Sequence, residues 1–167
     1  RITYLGILPH LRRDPSLETG KTIVIEMGGG STEVLVVRDR NVLYANSYRL
    51  GSLRLRETLE AYNAPTGKVR EFMESQIERT VDQILEHVTP EDSCEMIALG
   101  GDMRFAADNI LTDWNPKQLA RVPLAKFEAF TDRILSMSED ELVRKFALSY
   151  PDADTVGPAL LTYVQLA

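Results

Sequence analysis

Cysteine is nearly missing from this 167-residue sequence, and so are long apolar runs. The single cysteine, Cys94, cannot form an internal disulfide bond. Since no signal peptide is visible either, the sequence predicts a protein of the reducing cytoplasm. No apolar stretch approaches the roughly 18–20 residues that a membrane-spanning helix needs, so we expect no membrane partner.

Basic residues are also fewer than acidic ones, 19 against 25, which gives a net charge of -6. Affinity for nucleic acid rests on neutralising phosphates with Lys and Arg, so this balance argues against general nucleic-acid binding. A small phosphorylated ligand stays open, because backbone amides and a metal ion supply local positive potential. The composition, 44% hydrophobic and 26% charged, is typical of a globular protein, and we predict a single domain over residues 1–167.

Neither GxGxxG nor GxxxxGK[ST], the two common glycine-rich nucleotide motifs, is present. Residues 22–33 instead read TIVIEMGGGSTE, a β-branched run, a glycine turn and the start of a second run. Glycines let several amides turn toward one anion, and carboxylates suit a divalent cation that accompanies phosphate. A flexible hairpin turn is the alternative for a glycine triplet. The flanking acids and hydroxyls favour the binding site, whose candidate residues are Glu26, Gly28, Gly29, Gly30, Ser31 and Glu33.

Hydrophobic periodicity predicts a helix over 1–11, a loop around 14–20, and strands at 22–27, 33–38 and 42–49. Further strands are predicted at 96–99 and 122–124. Further helices are predicted at 53–62, 68–88, 103–110, 127–137 and 139–148, and from 151 onward. Ser52 is the predicted N-cap of the first of these, and residues 89–92 are predicted to end the second. Ser138 and Glu141 have the spacing of a capping box. Gly100 and Gly101, between a strand and a helix, are either a second anion nest or an ordinary tight turn.

This order predicts an α/β fold of the ribonuclease-H-like (actin-like ATPase) type. Its mixed five-stranded sheet would contain three antiparallel strands and would be flanked by helices. The chain starts at Arg1, without methionine, and both ends lie within helical patterns. We therefore expect an excised domain.

Four segments, in order, resemble motifs of the exopolyphosphatase / guanosine pentaphosphate phosphatase (Ppx/GppA) family, relatives of sugar kinases and actin. Residues 26–33 resemble its DxGGGSTE motif, and 50–55 its LGxxRL segment. Residues 99–104 resemble its GGTxR turn, and 152–160 its RADVIxPGA stretch. Residues 1–6 fit the helix that follows the family's Glu-Glu-Ala motif, so the resemblance covers nearly the whole chain.

The resemblance implies hydrolysis of terminal phosphoanhydride bonds, in polyphosphate or in pppGpp, with Mg²⁺. Glu33 would act as general base, and Glu26 would hold the metal ion. The other implied roles concern phosphate. Gly28, Gly29, Gly30, Ser31 and Gly51 would bind it, with Gly51 letting the backbone close on the site. Gly100 and Gly101 would form a second phosphate loop, with Arg104 as a neutralising donor.

Three departures from the family motifs, and one missing part, qualify this implication. The family's Asp is Glu26 here, its Thr is Asp102, and its Arg is Asp152. The catalytic Glu of the Glu-Glu-Ala motif would precede Arg1, together with the whole first lobe. We therefore expect that the fragment is inactive alone and that its partner is the first lobe of the same chain; a homodimer stays open.

Two other functional classes stay open beside the hydrolase. The substitutions at Glu26 and Asp102 also fit a catalytically degenerate domain that senses ppGpp or another nucleotide. A nucleotide-dependent kinase of the same superfamily is a third class, although the GGGSTE sequence favours a phosphatase.

Overall fold

The computed structural model describes residues 2–11, 17, 20–39, 41–62, 65–89 and 94–167. Its strands are β1 (Lys21–Met27), β2 (Thr32–Arg38), β3 (Asn41–Tyr48) and β4 (Cys94–Leu99). They form one mixed sheet in the order β3-β2-β1-β4. The first three strands are an antiparallel meander, and β4 lies parallel to β1.

The helices are α1 (Ile2–Leu11), α2 (Ser52–Ala61), α3 (Val69–Leu85), α4 (Gly101–Ile110), α5 (Leu124–Leu135), α6 (Glu139–Phe146) and α7 (Tyr150–Leu166). A short 3₁₀ turn, Thr66–Lys68, precedes α3. None of the described helices has the length and apolar character that crossing a membrane requires. The loop predicted over 14–16 and the helix stop predicted over 90–92 lie outside the described residues.

The predicted sheet of five strands is wrong, because the described residues form four strands. The segment 122–124, predicted as a strand, leads into a helix: Pro123 is the N-cap of α5 and Leu124 begins it. The Pro123 carbonyl accepts the amides of Lys126 and Phe127 at 3.0 and 3.1 Å. Proline has no amide to extend a sheet, and its fixed φ suits a helix start. The mixed α/β class is confirmed, while the ribonuclease-H-like assignment stays a prediction.

Two helix starts also differ from the predictions. Ser52, predicted as an N-cap, is the first residue of α2, and Gly51 occupies the cap without a side-chain hydrogen bond. Helix α4 begins at Gly101, two residues before its predicted start. The capping box is confirmed, since the Ser138 and Glu141 side chains each accept the other residue's amide.

The two faces of the sheet bury different clusters. Ile25 and Met27 of β1 pack in the main core with α7, whereas Val24 packs with Leu35, Ile97 and Ile7 of α1. Side chains alternate between faces along a strand, so Glu26 lies on the same face as Val24. The Glu26 side chain therefore lies on the face of the sheet that packs against α1.

Helix α7 is the central helix of the domain. It packs against α2, α3, α4, α5 and α6. Ser149 caps it by accepting the Asp152 amide, and Pro151 lies in its first turn, where proline is favoured. The run from Val156 to Tyr163 is buried. This packing brings Tyr163, near the end of α7, to the ends of β1 and β4.

Candidate functional site

The glycine turn joins β1 to β2 and places two carboxylates side by side. Glu26 and Glu33 lie directly opposite each other in the antiparallel pairing of β1 and β2. Opposed residues in such a pair point to the same face of the sheet. Both side chains are half-buried, so each keeps contact with solvent. The turn itself is closed by the Gly28 amide, which donates to the Ser31 carbonyl at 2.8 Å.

Two hydroxyls hold Glu33 in place. Its Oε1 atom accepts from the Ser31 hydroxyl at 2.8 Å and from the Ser47 hydroxyl at 3.2 Å. No described residue donates to its other oxygen, Oε2. The carboxylate is therefore oriented through one oxygen, while the second is available to a ligand or a water. The single proton of the Ser31 hydroxyl is directed at Glu33.

The carbonyls of the glycine turn point toward the start of α2. Gly28 O accepts the Ser52 amide at 3.1 Å, and Gly29 O accepts the Arg54 amide at 3.0 Å. The Arg54 side chain donates through Nε to Gly30 O at 3.1 Å. Within the described part of the chain, the amides of residues 29–31 donate to no protein group. Gly28, Gly29 and Gly30 are exposed and Ser31 is half-buried, so the amides of residues 29–31 are candidate donors for an anion.

Gly51 packs directly onto this turn. A β-carbon at position 51 would lie 2.5 Å from the Gly30 amide nitrogen. Next to it, the buried Thr32 hydroxyl donates to the Leu50 carbonyl at 2.7 Å. Position 51 therefore needs a residue without a side chain, while the phosphate-binding role that the resemblance implied for Gly51 stays a prediction.

The second glycine turn leaves the same edge of the sheet as the first. In the parallel pairing of β1 and β4, Glu26 lies beside Leu99, and Gly100 follows directly. Gly100 has a φ of 129°, a conformation that favours glycine, and Gly101 begins α4. The start of α4 thus presents its first amides beside the β1–β2 turn. Arg104, in the first turn of α4, is exposed and makes no ion pair with any described residue.

The hydroxyl of Tyr163 lies between the two turns. It accepts the Met27 amide at 2.9 Å and donates to the Leu99 carbonyl at 2.5 Å. Burial raises its pKa, and the charges of Asp102, Glu26 and Glu33 raise it further. Glu26 and Glu33 flank the first turn, and Asp102 lies at the start of α4, after the second turn. They come from both turns and form an acidic site rim.

Asp102 is the residue of this rim that fits phosphate least well. Burial raises the pKa of its carboxyl group, and the charge of Asp152 raises it further. Desolvation disfavours the charged form of a carboxyl group, and so does a nearby carboxylate. An ionised Asp102 next to the free amides of the turns opposes the binding of an anion.

A cavity of about 560 Å³ lies on the other side of the glycine turn, between the starts of α2 and α7. Gly29 contributes to its wall, with Arg56, Asp154 and Tyr150. Arg56 forms ion pairs with Asp154 at 2.5 Å and with Glu60 at 2.8 Å. Glu26 and Glu33 do not line this cavity. Gly29 is the one predicted site residue in the wall of this cavity, so the cavity is not where the predicted site residues meet.

Glu26 and Glu33 fit the metal ion that the sequence predicted. Mg²⁺ prefers oxygen ligands, keeps several waters, and commonly binds through one or two carboxylates together with substrate phosphates. The described residues contain no group of three or more acidic, His or Cys side chains arranged for a metal. The carboxylate pair therefore suits an ion shared with a phosphate better than an ion enclosed by protein.

Residues 1–166 match the model of the Ppx/GppA phosphatase family. The chain belongs to the Ppx/GppA phosphatase family. This membership confirms the family that the four sequence motifs indicated. No curated protein matches the chain significantly.

Solved Ppx/GppA structures share the fold. An exopolyphosphatase-like protein is 20% identical with a TM-score of 0.81, over 99% of this chain and 54% of its own. A family member from Aquifex aeolicus is 19% identical with a TM-score of 0.78, over 98% and 52%. An exopolyphosphatase from Cytophaga hutchinsonii is 15% identical with a TM-score of 0.77, over 98% and 55%. This chain thus spans about half the length of these relatives.

Two residues near the glycine turn were missed by the sequence reasoning: Tyr163 beside the site and Arg56 in the wall of the neighbouring cavity. Tyr163 lies in the apolar run of α7, and Arg56 lies among the mixed charges of α2. A tyrosine within a buried helix needs a hydrogen-bond partner for its hydroxyl, which was the available signal for Tyr163. Nothing in the local sequence identified Arg56.

Proposed function

We propose that this chain carries the glycine-rich half of the active site of a phosphoanhydride hydrolase, which removes terminal phosphate from polyphosphate or from pppGpp. The other half would come from the first lobe, and the chain alone is then inactive. The carrying observation is the Glu26–Glu33 pair beside the three free amides of residues 29–31. Membership of the Ppx/GppA phosphatase family and the half-length match to its solved structures support the proposal.

The free amides would bind the transferred phosphoryl group. Phosphoryl transfer develops charge on the equatorial oxygens, and fixed donors in a site that needs no reorganisation stabilise that charge. The amides of Gly29, Gly30 and Ser31 are held in this way, because the carbonyls of residues 28–30 are tied to α2. The Gly28 amide closes the turn, so Gly28 contributes conformation and not a donor.

Glu33 would act as the general base toward the attacking water. A base must lie within hydrogen-bond reach of the proton that it accepts. Ser31 and Ser47 hold Oε1 and thereby aim Oε2, which receives no hydrogen bond from the described residues. One oxygen thus fixes the carboxylate and the other takes the proton.

Glu26 would hold Mg²⁺, with Glu33 as its neighbour on the same face. When bound, the ion supplies positive charge beside the phosphate oxygens. Gly100 and Gly101 would present the first amides of α4 to the same phosphate, and Arg104 would add a cation. Asp102 works against this, because its negative charge repels phosphate.

Phosphate release tests the proposal. The full-length protein, meaning this chain with its expected first lobe, is incubated with polyphosphate and separately with pppGpp, each with Mg²⁺ or with a chelator. We expect phosphate release by the full-length protein with Mg²⁺, no release with the chelator, and no release by the 167-residue chain alone. If the full-length protein releases no phosphate from either substrate, the proposal that it is a hydrolase is contradicted.

A second candidate is a domain that senses ppGpp or another nucleotide without hydrolysing it. The observations that favour it are Glu26 and Asp102, which replace the Asp and the Thr of the family motifs and so weaken the case for catalysis. Calorimetric titration of the full-length protein separates the two: tight binding without turnover supports the sensor. The cytoplasmic location and a homodimer stay predictions.

A further inference from the structure

The hydroxyl of Tyr163 joins the two strands that carry the glycine turns. Its acceptor and donor bonds go to the Met27 amide and the Leu99 carbonyl. Met27 immediately precedes Gly28, and Leu99 immediately precedes Gly100. One side-chain atom therefore fixes the last strand residue before each turn.

The Tyr163 hydroxyl is enclosed by protein and stays a hydrogen-bond donor. Tyr163 is 1% exposed, and a β-carbon at Gly100 would lie 3.6 Å from its oxygen. Its raised pKa keeps the hydroxyl protonated, and so a donor, throughout the neutral range. A phenylalanine would fill the same core volume but would leave one buried amide and one carbonyl without this partner.

We propose that Tyr163 is a positioning residue, which holds the two glycine turns at a fixed separation so that both can present amides to one phosphoryl group. The catalytic part of this proposal rests on the function proposed above. Tyr163 lies below the turns and does not touch substrate. The β1–β4 pairing extends from Lys21 to Glu26 without it, so loss of the hydroxyl loosens the turns and leaves the sheet in place.

The kinetic test compares Tyr163→Phe with Thr162→Val in the full-length protein. The control removes a neighbouring buried hydroxyl, which donates to the Pro158 carbonyl within the same helix. The substrate can bind to one turn in the ground state, but the transition state is fully stabilised only when both turns present their amides to the same phosphoryl group. We expect kcat of Tyr163→Phe to fall about 10- to 100-fold, with KM changed less than about threefold. Equal kcat values for the two variants would overturn the proposal.

Amide hydrogen exchange tests the same coupling without any enzyme assay. In the full-length protein, Tyr163→Phe should accelerate exchange at least about tenfold at Met27, at Gly28 in the first turn, and at Arg104, whose amide donates to the Gly100 carbonyl. Exchange at Val34, inside the sheet, should stay unchanged, and Thr162→Val should change none of these positions. Acceleration confined to Met27 would overturn the coupling.

The two measurements separate failure of this proposal from failure of the proposed function. If the full-length protein releases no phosphate but exchange accelerates at both turns, the enzyme assignment fails and the positioning role stands. If the parent full-length protein releases phosphate but Tyr163→Phe and Thr162→Val show the same amide exchange rates, the enzyme assignment stands and the positioning role fails.

Discussion

The backbone of Gly51 lies against the carbonyl of Gly29, and a β-carbon at position 51 would come within 2.3 Å of the Gly29 oxygen. The extended conformation of Gly51, with φ of -148° and ψ of 154°, is one that any residue can adopt. The requirement for glycine is therefore one of space. The atoms in the way belong to the backbone, which cannot rotate aside as a flexible side chain could.

Gly51→Ala should distort the glycine turn. Forcing a methyl group against packed backbone costs about 1–3 kcal/mol in the free energy of unfolding. The same displacement should move the amides of residues 29–31 and reduce phosphate release by the full-length protein. Urea denaturation measures the stability change, and a phosphate assay measures the activity.

Gly30→Ala is the matched control for stability. A β-carbon at Gly30 would meet no atom within 4 Å. We expect its free energy of unfolding to stay within about 0.5 kcal/mol of the parent value. A Gly51→Ala variant as stable as Gly30→Ala would show that the contact between positions 51 and 29 is not tight.

Arg56→Met should destabilise the contact between α2 and α7. The Asp154 side chain is 18% exposed and the Arg56 side chain 35% exposed, so their ion pair is only partly screened by water. Losing it should cost about 1 kcal/mol, between the values typical of surface and buried pairs. A double-mutant cycle with Asp154→Asn measures this coupling.

The Arg70–Asp132 pair provides the comparison. Its side chains are 52% and 59% exposed, so Arg70→Met should cost no more than about 0.5 kcal/mol. If the two variants lose the same stability, burial does not strengthen the Arg56–Asp154 pair.

Asp102→Asn should stabilise the protein at neutral pH. The folded state raises the pKa of Asp102 through burial and the charge of Asp152, so ionisation of this group weakens folding. This destabilisation by ionised Asp102 is fully present when the pH lies above the pKa of Asp102 in the folded state. It disappears as the pH falls below 3.8, the ordinary value for this group. Melting temperatures from pH 3 to pH 8 should show a gain for Asp102→Asn that shrinks with acidity.

Asp113→Asn controls for the removal of one negative charge. Asp113 is exposed in the loop after α4 and makes no hydrogen bond or ion pair with a described residue. Its melting temperature should follow that of the parent at every pH. A gain for Asp102→Asn that persists at acid pH would contradict the ionisation argument.

Local sequence patterns predicted most of the fold but not the contacts that join its parts. The β-branched runs gave β1 and β2, and the Ser138–Glu141 spacing gave the start of α6, because both signals lie within a few residues. Ser52 was misjudged because its amide donates to Gly28, 24 residues away along the chain. The missing fifth strand has a similar cause: an apolar triplet around Pro123 suits a strand or a helix start, and helix packing decided.

The residues of the candidate site also fall into those that a local sequence pattern predicts and those that it does not. The glycines and acids of residues 26–33 form one motif that is contiguous in sequence, and Gly100 and Gly101 stand together between a strand and a helix, so these residues could be named in advance. The hydroxyl of Tyr163 reaches Met27 over 136 residues and Leu99 over 64, and such contacts leave no local pattern.

The most direct test of the central claim is the initial rate of phosphate release by the full-length protein after Glu33→Gln. Glu95→Gln, an exposed carboxylate of β4 that contacts Arg121 at 3.4 Å, is the control. Loss of a general base should lower kcat by about 100-fold or more, while Glu95→Gln stays within about twofold of the parent. A Glu33→Gln variant that releases phosphate at the parent rate would contradict the account.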